Sequence, residues 1–176
     1  MTAWRIVRSR NQDWLRSWEA TLPPGSMPAA STFSSMVRES RRAARRGQGL
    51  PFVTTYDGRL VGQVTVTGIT WGSARWAQLG YWVDRQVAGQ GVTPTAVALV
   101  ADHCFRAVGL HRLEIAVRPE NAASLRVAEK LGFRQEAHAP RYLHIDGAWR
   151  DHVLFALTAE EAGRGVLDSY LQRTRA

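Results

Sequence analysis

The chain has 176 residues, of which 45% are hydrophobic, so it can bury one sizeable core. We expect a single domain over residues 1–176. No run reaches the roughly 18 apolar residues of a membrane span, and the charged N-terminus lacks the apolar segment of a secretory signal. Cys104 is the only cysteine, which excludes an intrachain disulfide and a thiolate metal cluster. We therefore expect a cytoplasmic protein with no membrane attachment and no metal.

The basic side chains outnumber the acidic ones and give a formal net charge of +8. Such a surface attracts polyanions, so nucleic acid, including the ribosome, and a phosphorylated cofactor are the two classes of partner to consider. The densest basic run has helical spacing and consists of Arg38, Arg41, Arg42, Arg45 and Arg46. A solvated helix face is its default interpretation. No aromatic residue interrupts the run, which argues against a platform that stacks nucleic-acid bases.

The N-terminal third is predicted to be helical. Apolar residues at helical spacing predict a first helix over Ala3–Ala20, and Pro23-Pro24-Gly25 terminates it. A Ser/Met/Ala-rich turn then leads to Thr32, which we predict to cap a second helix that begins at Phe33 and ends before Gly47.

The remaining elements alternate between strands and helices. Asp57-Gly58 predicts a hairpin between strands Phe52–Tyr56 and Leu60–Ile69. Thr93 is a plausible cap for a helix over Pro94–Val108. The other predicted elements are strands Ala74–Val83 and Arg112–Val117, helix Ala122–Leu131, strands Phe133–Tyr142 and Asp151–Leu157 around Asp146-Gly147, and a C-terminal helix from Ala159. We expect an α/β (α+β) fold in which helices cover both faces of one mixed, twisted sheet.

Residues 82–94, WVDRQVAGQGVTP, place a glycine-bearing loop between a strand and a helix. The backbone N–H groups of such a junction and the positive end of the helix dipole point toward one place, where a pyrophosphate fits. Glycine permits positive φ and lets a phosphate approach the backbone without meeting a Cβ. A glycine-rich turn before a helix also occurs for purely structural reasons, so this segment alone is not specific.

A second segment, RPENAASLRVAEKLGF at residues 118–133, adds the specificity. In this order and at this separation, the two segments resemble the GNAT superfamily of acetyltransferases, which has a glycine-rich CoA loop followed by an N-x-x-S…LGF block. Residues 145–152, IDGAWRDH, are similar to the G-x-W-x-D ending of the RimJ/RimL type of ribosomal-protein N-terminal acetyltransferases. The resemblance covers about residues 50–157, which we expect to hold the cofactor and substrate sites.

The resemblance implies a CoA site with two possible registers for the loop motif. Gln86, Gly89 and Gly91 satisfy it literally, whereas counting from the strand places Ala88, Gly91 and Thr93 at the motif positions. We prefer the second register. The residues expected to bind the cofactor are Val83, Ala88, Gly89, Gln90, Gly91, Val92, Thr93 and Asn121.

The same resemblance implies how acetyl-CoA is held and used. The strands that end at Val83 and Val117 would splay apart, and backbone groups near Val83 would bind pantetheine and polarise the thioester carbonyl. Asn121 would hold the pantetheine arm near the thiol, although an asparagine before a helix also acts as a cap. Ser124 would protonate the departing thiolate, because Ala128 stands where many family members have a tyrosine; an ordinary first-turn serine is the alternative.

The general base stays open at the level of the sequence. RimL-like enzymes have a glutamate at the position that corresponds to Leu143, so that role does not carry over. Glu114 is our first candidate, and His144, Asp146 or a bound water are the others. A strong base is less necessary for an α-amino group, whose pKa is near 7.7–8.0, than for lysine near 10.4. This favours an N-terminal amine as the acceptor.

The start of the chain departs from the family pattern, because Met1 falls almost at the predicted first helix, so we expect either that the first family strand is missing or that the start has been assigned late. The strand from Phe52 would then lack a neighbour. The leading hypothesis is an acetyl-CoA-dependent acyltransferase that acts on the N-terminus of a protein, with a ribosomal protein as one candidate substrate. We expect a monomer or homodimer that contacts nucleic acid only indirectly, through the ribosome. Alternatives are an aminoglycoside or polyamine acetyltransferase, a non-catalytic acetyl-CoA-binding protein and a nucleic-acid-binding module.

Overall fold

The computed structural model describes residues 2–26 and 32–175. The Ser/Met/Ala-rich turn predicted before Thr32 falls largely on residues 27–31 and so lies outside the described residues. The helices are α1 (Thr2–Arg10), α2 (Gln12–Arg16), α3 (Phe33–Arg45), α4 (Val92–His103), α5 (Ala122–Lys130), α6 (Ala159–Ala162) and α7 (Val166–Arg175). The strands are β1 (Gly49–Tyr56), β2 (Arg59–Thr70), β3 (Trp76–Val83), β4 (Arg112–Val117), β5 (Arg134–Ile145) and β6 (Ala148–Thr158).

The strands form one mixed sheet in the order β1-β2-β3-β4-β6-β5. β3 and β4 are parallel, and the other neighbouring pairs are antiparallel. β1 lies at an edge and pairs only with β2 within the described residues. The predicted fold class, a mixed sheet with helices on both faces, is confirmed.

Two hairpins use the turn residues that the sequence indicates. Asp57 and Gly58 both have positive φ, at +49° and +72°, and so do Asp146 and Gly147, at +44° and +80°. Two successive left-handed residues give the backbone twist that matches a right-handed strand pair. Both turns therefore fix the register of their strands.

One face of the sheet, which we call the α4 face, carries the main core. Alternate residues of β2, β3, β4 and β6 point toward α4, α5 and α7, as period-2 side-chain alternation requires. The buried members include Val66, Leu79, Leu113, Ile115, Phe155, Val97, Ala101, Ala128, Leu131 and Tyr170. This packing holds β3 and β4 against the helices that follow them in the chain.

The opposite face, which we call the α1 face, is covered by the N-terminal helices. The Trp4 ring of α1 lies edge-on to Trp82 of β3 at 6.3 Å and is tilted against Phe33 of α3 at 5.0 Å. Val7 and Leu15 are buried beneath α1 and α2. In the described part of the chain, no helix is long and apolar enough to span a membrane.

Several predicted boundaries are wrong. The first helix is two helices, because the chain breaks at Asn11, whose buried side chain bonds to Asp84. The cap of α4 is Gly91 at φ +79° and not Thr93, which lies inside the first turn. The predicted C-terminal helix is divided by Gly163 and Gly165, which have positive φ.

Candidate active site

The sheet opens between its two central strands. β3 and β4 pair only from Trp76–Arg112 to Gln78–Glu114, although the strands continue to Val83 and Val117. Beyond this point β3 stays paired with β2 and β4 with β6, so the two facing edges carry backbone groups without a strand partner. We call this opening the strand gap. An extended ligand with amide groups can hydrogen-bond to such edges as an added strand does.

A cavity of about 330 Å³ connects the strand gap to the first turns of α4 and α5. Val83, Thr93, Asn121 and Ser124 all line it, so the fold brings together residues that lie up to about 40 positions apart in the predicted site. Trp14 and Trp18 of the α2 region form part of its wall, together with Tyr81 and Trp82 of β3. The cavity is therefore partly aromatic and carries polar groups at the end that faces α5.

The loop before α4 has the properties of an anion site. Gly89 and Gly91 have φ of +81° and +79°, and α4 begins at Val92. Among the described residues, the backbone N–H groups of Gly89, Gly91, Val92 and Thr93 have no hydrogen-bond acceptor. Free N–H groups at the positive end of a 12-residue helix can bind a phosphate or pyrophosphate.

The other loop positions frame these donors. The N–H of Ala88 donates a hydrogen bond to the carbonyl oxygen of Arg85, and the N–H of Gln90 donates a long one, of 3.4 Å, to the carbonyl oxygen of Val87. Gly91, whose φ is positive, is a motif glycine in both registers, whereas Gly89 is one only in the literal register.

Asp84 holds the loop in place, a role that the sequence analysis missed. It is 1% exposed, and its carboxylate accepts hydrogen bonds from Asn11 Nδ2 at 2.9 Å and Gln86 N at 3.3 Å and forms an ion pair with Arg10. Burial alone would raise the pKa of Asp84, but the bonds from Arg10, Asn11 and Gln86 outweigh it and the pKa is lowered. The loop is thereby fixed to α1 by a charged carboxylate.

Asn121 and Ser124 lie together at the start of α5. Asn121 caps the helix, since its Oδ1 accepts a hydrogen bond from Ser124 N at 3.1 Å. Ser124 Oγ is 2.8 Å from the hydroxyl of Tyr81, which reaches α5 from β3. Burial raises the pKa of Tyr81 to about 12, although its bond to Ser124 acts in the opposite direction. The phenol is therefore neutral at physiological pH, and the two hydroxyls form a chain along which a proton can pass.

The structure does not place the three candidate bases in the strand gap. Glu114 lies where β3 and β4 still pair, and its carboxylate accepts a bond from Arg112 Nε at 2.7 Å. His144 Nδ1 is bonded to Thr21 Oγ1 at 2.7 Å, and Asp146 pairs with Arg16 at the β5–β6 turn. A second cavity, of about 150 Å³, lies in the strand gap itself, and none of the three candidate bases lines it.

A residue that the sequence analysis did not consider as a base does line the gap. His152 of β6 is 3% exposed and shares a cavity of about 150 Å³ with Tyr81, Asn121 and Ser124. Its only sequence signal was its place in the segment at residues 145–152. Strand register, which brings β6 beside the end of β4, decides its position.

A further cavity of about 310 Å³ opens on the α1 face beside the gap. Leu15, Trp18 and Trp82 give it apolar walls, and Arg8 forms an ion pair with Glu19 at its edge. Burial lowers the pKa of Arg8. The pocket therefore carries one charge of each sign, which differs from the acidic cleft that a polycationic ligand would favour.

Comparison with known proteins identifies the family of the chain. A family model described as an acetyltransferase (GNAT) domain matches residues 5–134. The probable N-acetyltransferase YjcK of Bacillus subtilis is 40% identical over 104 residues, so the match spans only 59% of this chain and 58% of that protein. The ribosomal protein uS5-alanine N-acetyltransferase of Escherichia coli is 28% identical over 163 residues, which are 90% of this chain and 84% of the relative.

A solved structure extends the likeness to the whole fold. Mycobacterium smegmatis RimJ in complex with CoA-disulfide superposes with a TM-score of 0.91 at 41% identity, over 99% of this chain and 84% of that one. The glycine loop, the open strands and the α5 block thus occur in a chain whose sequence and fold both match known acetyltransferases. The chain belongs to the GNAT acetyltransferase family.

Proposed function

We propose that this chain transfers the acetyl group of acetyl-CoA to the α-amine at the N-terminus of a protein, with a ribosomal protein as the first candidate. The observation that carries the proposal is the strand gap, which joins the unpaired N–H groups before α4 to the Tyr81–Ser124 hydroxyl pair. Its position between a phosphate-type site and a proton donor suits a long, phosphorylated thioester. A cytoplasmic location follows as part of the same proposal.

Each group in the site has a step to perform. The N–H groups from Gly89 to Thr93 bind the pyrophosphate. The edge of β3 that no longer pairs with β4, up to Val83, binds pantetheine and polarises the thioester carbonyl. Asn121, at the start of α5, holds the pantetheine arm near its thiol end. Ser124 gives its proton to the departing thiolate and is supported by Tyr81.

The charge of the pocket on the α1 face and the pKa of the acceptor amine both favour an N-terminal α-amine. The cavity on the α1 face is apolar with one balanced ion pair, so it offers no excess negative charge to an aminoglycoside or a polyamine. An α-amino group with a pKa near 7.7–8.0 is substantially neutral at physiological pH, whereas a lysine near 10.4 is not. The E. coli relative whose name specifies the alanine of a ribosomal protein supports the same class of acceptor.

A thiol-release assay tests the acceptor class. Acetyl-CoA is supplied with Ala- and Ser-initiated peptides, N-terminally blocked lysine peptides, aminoglycosides and polyamines. We expect turnover chiefly with the free N-terminal peptides. Preferred turnover of an aminoglycoside or a polyamine would indicate a small-amine acetyltransferase. CoA binding without any turnover would indicate a non-catalytic acetyl-CoA-binding protein.

A further inference from the structure

His152 lies on the side of the strand gap that faces away from the Tyr81–Ser124 pair. Its neighbours in β6, Val153 and Phe155, belong to the core on the α4 face or pack against it, so alternation places His152 on the α1 face. Tyr81 follows Leu79 on the α4 face by the same alternation. The cavity of about 150 Å³ in the gap is lined by residues of both sets, Tyr81 and Ser124 on one side and His152 on the other.

The hydrogen bonds of His152 define which ring nitrogen can act. Nδ1 is 3.0 Å from the carbonyl oxygen of Arg150, and since a carbonyl only accepts, Nδ1 carries the proton. Nε2 then holds the lone pair, and no hydrogen-bond partner for it occurs among the residues that the structure describes. The ring also packs at 5.6 Å against Tyr142, whose hydroxyl accepts a bond from Gln78 Nε2.

The surroundings keep the ring neutral. Burial lowers the pKa of His152, and Arg118 acts in the same direction, while the Arg150 carbonyl, Glu120 and Asp151 oppose them. A neutral imidazole with one free, fixed nitrogen is the form that accepts a proton.

We propose that Nε2 of His152 is the general base, taking the proton of the acceptor amine on the α1 face while Ser124 protonates the thiolate on the α4 face. The inference rests on the acetyl transfer proposed above, whichever amine is the acceptor. The amine nitrogen attacks the thioester carbon, the N–C bond forms and the C–S bond breaks. The amine proton passes to His152, which returns it to solvent, and the thiolate takes one proton from Ser124, which Tyr81 and solvent replace.

The experiment compares kcat and KM of the parent with those of His152→Gln, using the acceptor with the highest turnover in the assay above. General bases contribute roughly 100-fold to 10,000-fold, so we expect kcat to fall at least about 100-fold. KM for acetyl-CoA and the rise in Tm on adding CoA should stay near the parent values, which shows that the variant is folded. His111→Gln, an exposed histidine before β4, is the control and should behave as the parent.

Chemical rescue separates a base from a structural residue. His152→Ala leaves a space the size of the lost ring, and added imidazole should restore part of its kcat. A parent-like kcat in His152→Gln, or a loss in His152→Ala that imidazole does not restore, overturns the proposal. Loss of kcat in Glu114→Gln together with a parent-like His152→Gln would assign the role to Glu114. Failure of the peptide acceptors alone leaves this test intact, because it uses whichever amine turns over.

Discussion

At the scale of single residues, the Tyr81–Ser124 contact is the most informative feature of the site. Ser124 was predicted from the family motif, because its neighbours in sequence identify it. Tyr81 was not, since it comes from β3, 43 positions earlier, and only the fold brings its hydroxyl to 2.8 Å from Ser124 Oγ. The position at which many family members have a tyrosine holds Ala128, which is fully buried in the core. A tyrosine from another element thus stands beside the serine.

Ser124→Ala should lower kcat by about 100-fold, because a proton donor to the leaving group acts mainly in the transition state. KM for acetyl-CoA should change little. Tyr81→Phe should give a smaller loss in the same direction, since Ser124 keeps its own proton. Steady-state kinetics of both variants check this, with the exposed loop serine Ser73→Ala as control. Parent-like kinetics for Ser124→Ala would reduce it to an ordinary helix residue.

Asp84→Asn should lower stability at neutral pH by about 1–3 kcal/mol, because it removes the carboxylate that Arg10 and Asn11 bind. The folded pKa of Asp84 lies below the unfolded value near 3.9, so its contribution is complete above that value and is lost as the pH falls through the folded pKa. The difference in unfolding free energy between parent and variant should therefore be constant from pH 7 to about pH 5 and shrink below about pH 4.

Denaturant unfolding across that pH range measures the difference. Asp57→Asn, at an exposed turn where asparagine suits the positive φ, is the matched control. A difference that grows on acidification would contradict the charged form of Asp84.

At the scale of elements, the sequence indicates most of the fold because its signals are local. β4 has the predicted bounds, Arg112–Val117, and both hairpin turns fall on the predicted Asp-Gly dipeptides. The errors occur where distant contacts decide. Asn11 ends α1 because its side chain is buried against Asp84, and the cap of α4 is Gly91, although Thr93 is the better capping residue by type. The opening between β3 and β4 was implied by the family resemblance and not by any local pattern.

Gly91→Glu should abolish the stabilisation by CoA. At about 100 times its Kd, CoA should raise the Tm of the parent by about 5–10 °C. A glutamate at φ +79° strains the backbone and places a negative charge at the N-terminus of α4, opposite a bound pyrophosphate. Gly58→Glu makes the same change at φ +72° in the β1–β2 turn, where an added Cβ meets nothing within 4 Å.

Thermal melts with and without CoA compare the two variants. Both should lose intrinsic stability, but only Gly58→Glu should keep the CoA-dependent rise in Tm. An equal rise in both would remove the loop from the cofactor site.

At the scale of the whole molecule, the net charge is +8, and the densest basic run lies outside the cavities of the candidate site. The arginine run lies on α3, which packs beside the edge strand β1 and has no buried side chain. The prediction of a solvated helix face agrees with this position. The pocket beside the strand gap instead balances Arg8 with Glu19. The net charge therefore indicates classes of partner but does not locate the site.

The proposed selection of an α-amine over a lysine ε-amine can be measured within a single peptide. An Ala-initiated peptide that also contains one lysine is incubated with enzyme and acetyl-CoA at neutral pH, and fragment mass spectrometry locates the acetyl group. The pKa gap of about 2.5 units makes the neutral α-amine several hundredfold more abundant than neutral lysine near pH 7, so we expect at least about tenfold more product at the N-terminus. Equal labelling, or a preference for the lysine, would contradict selection of the α-amine.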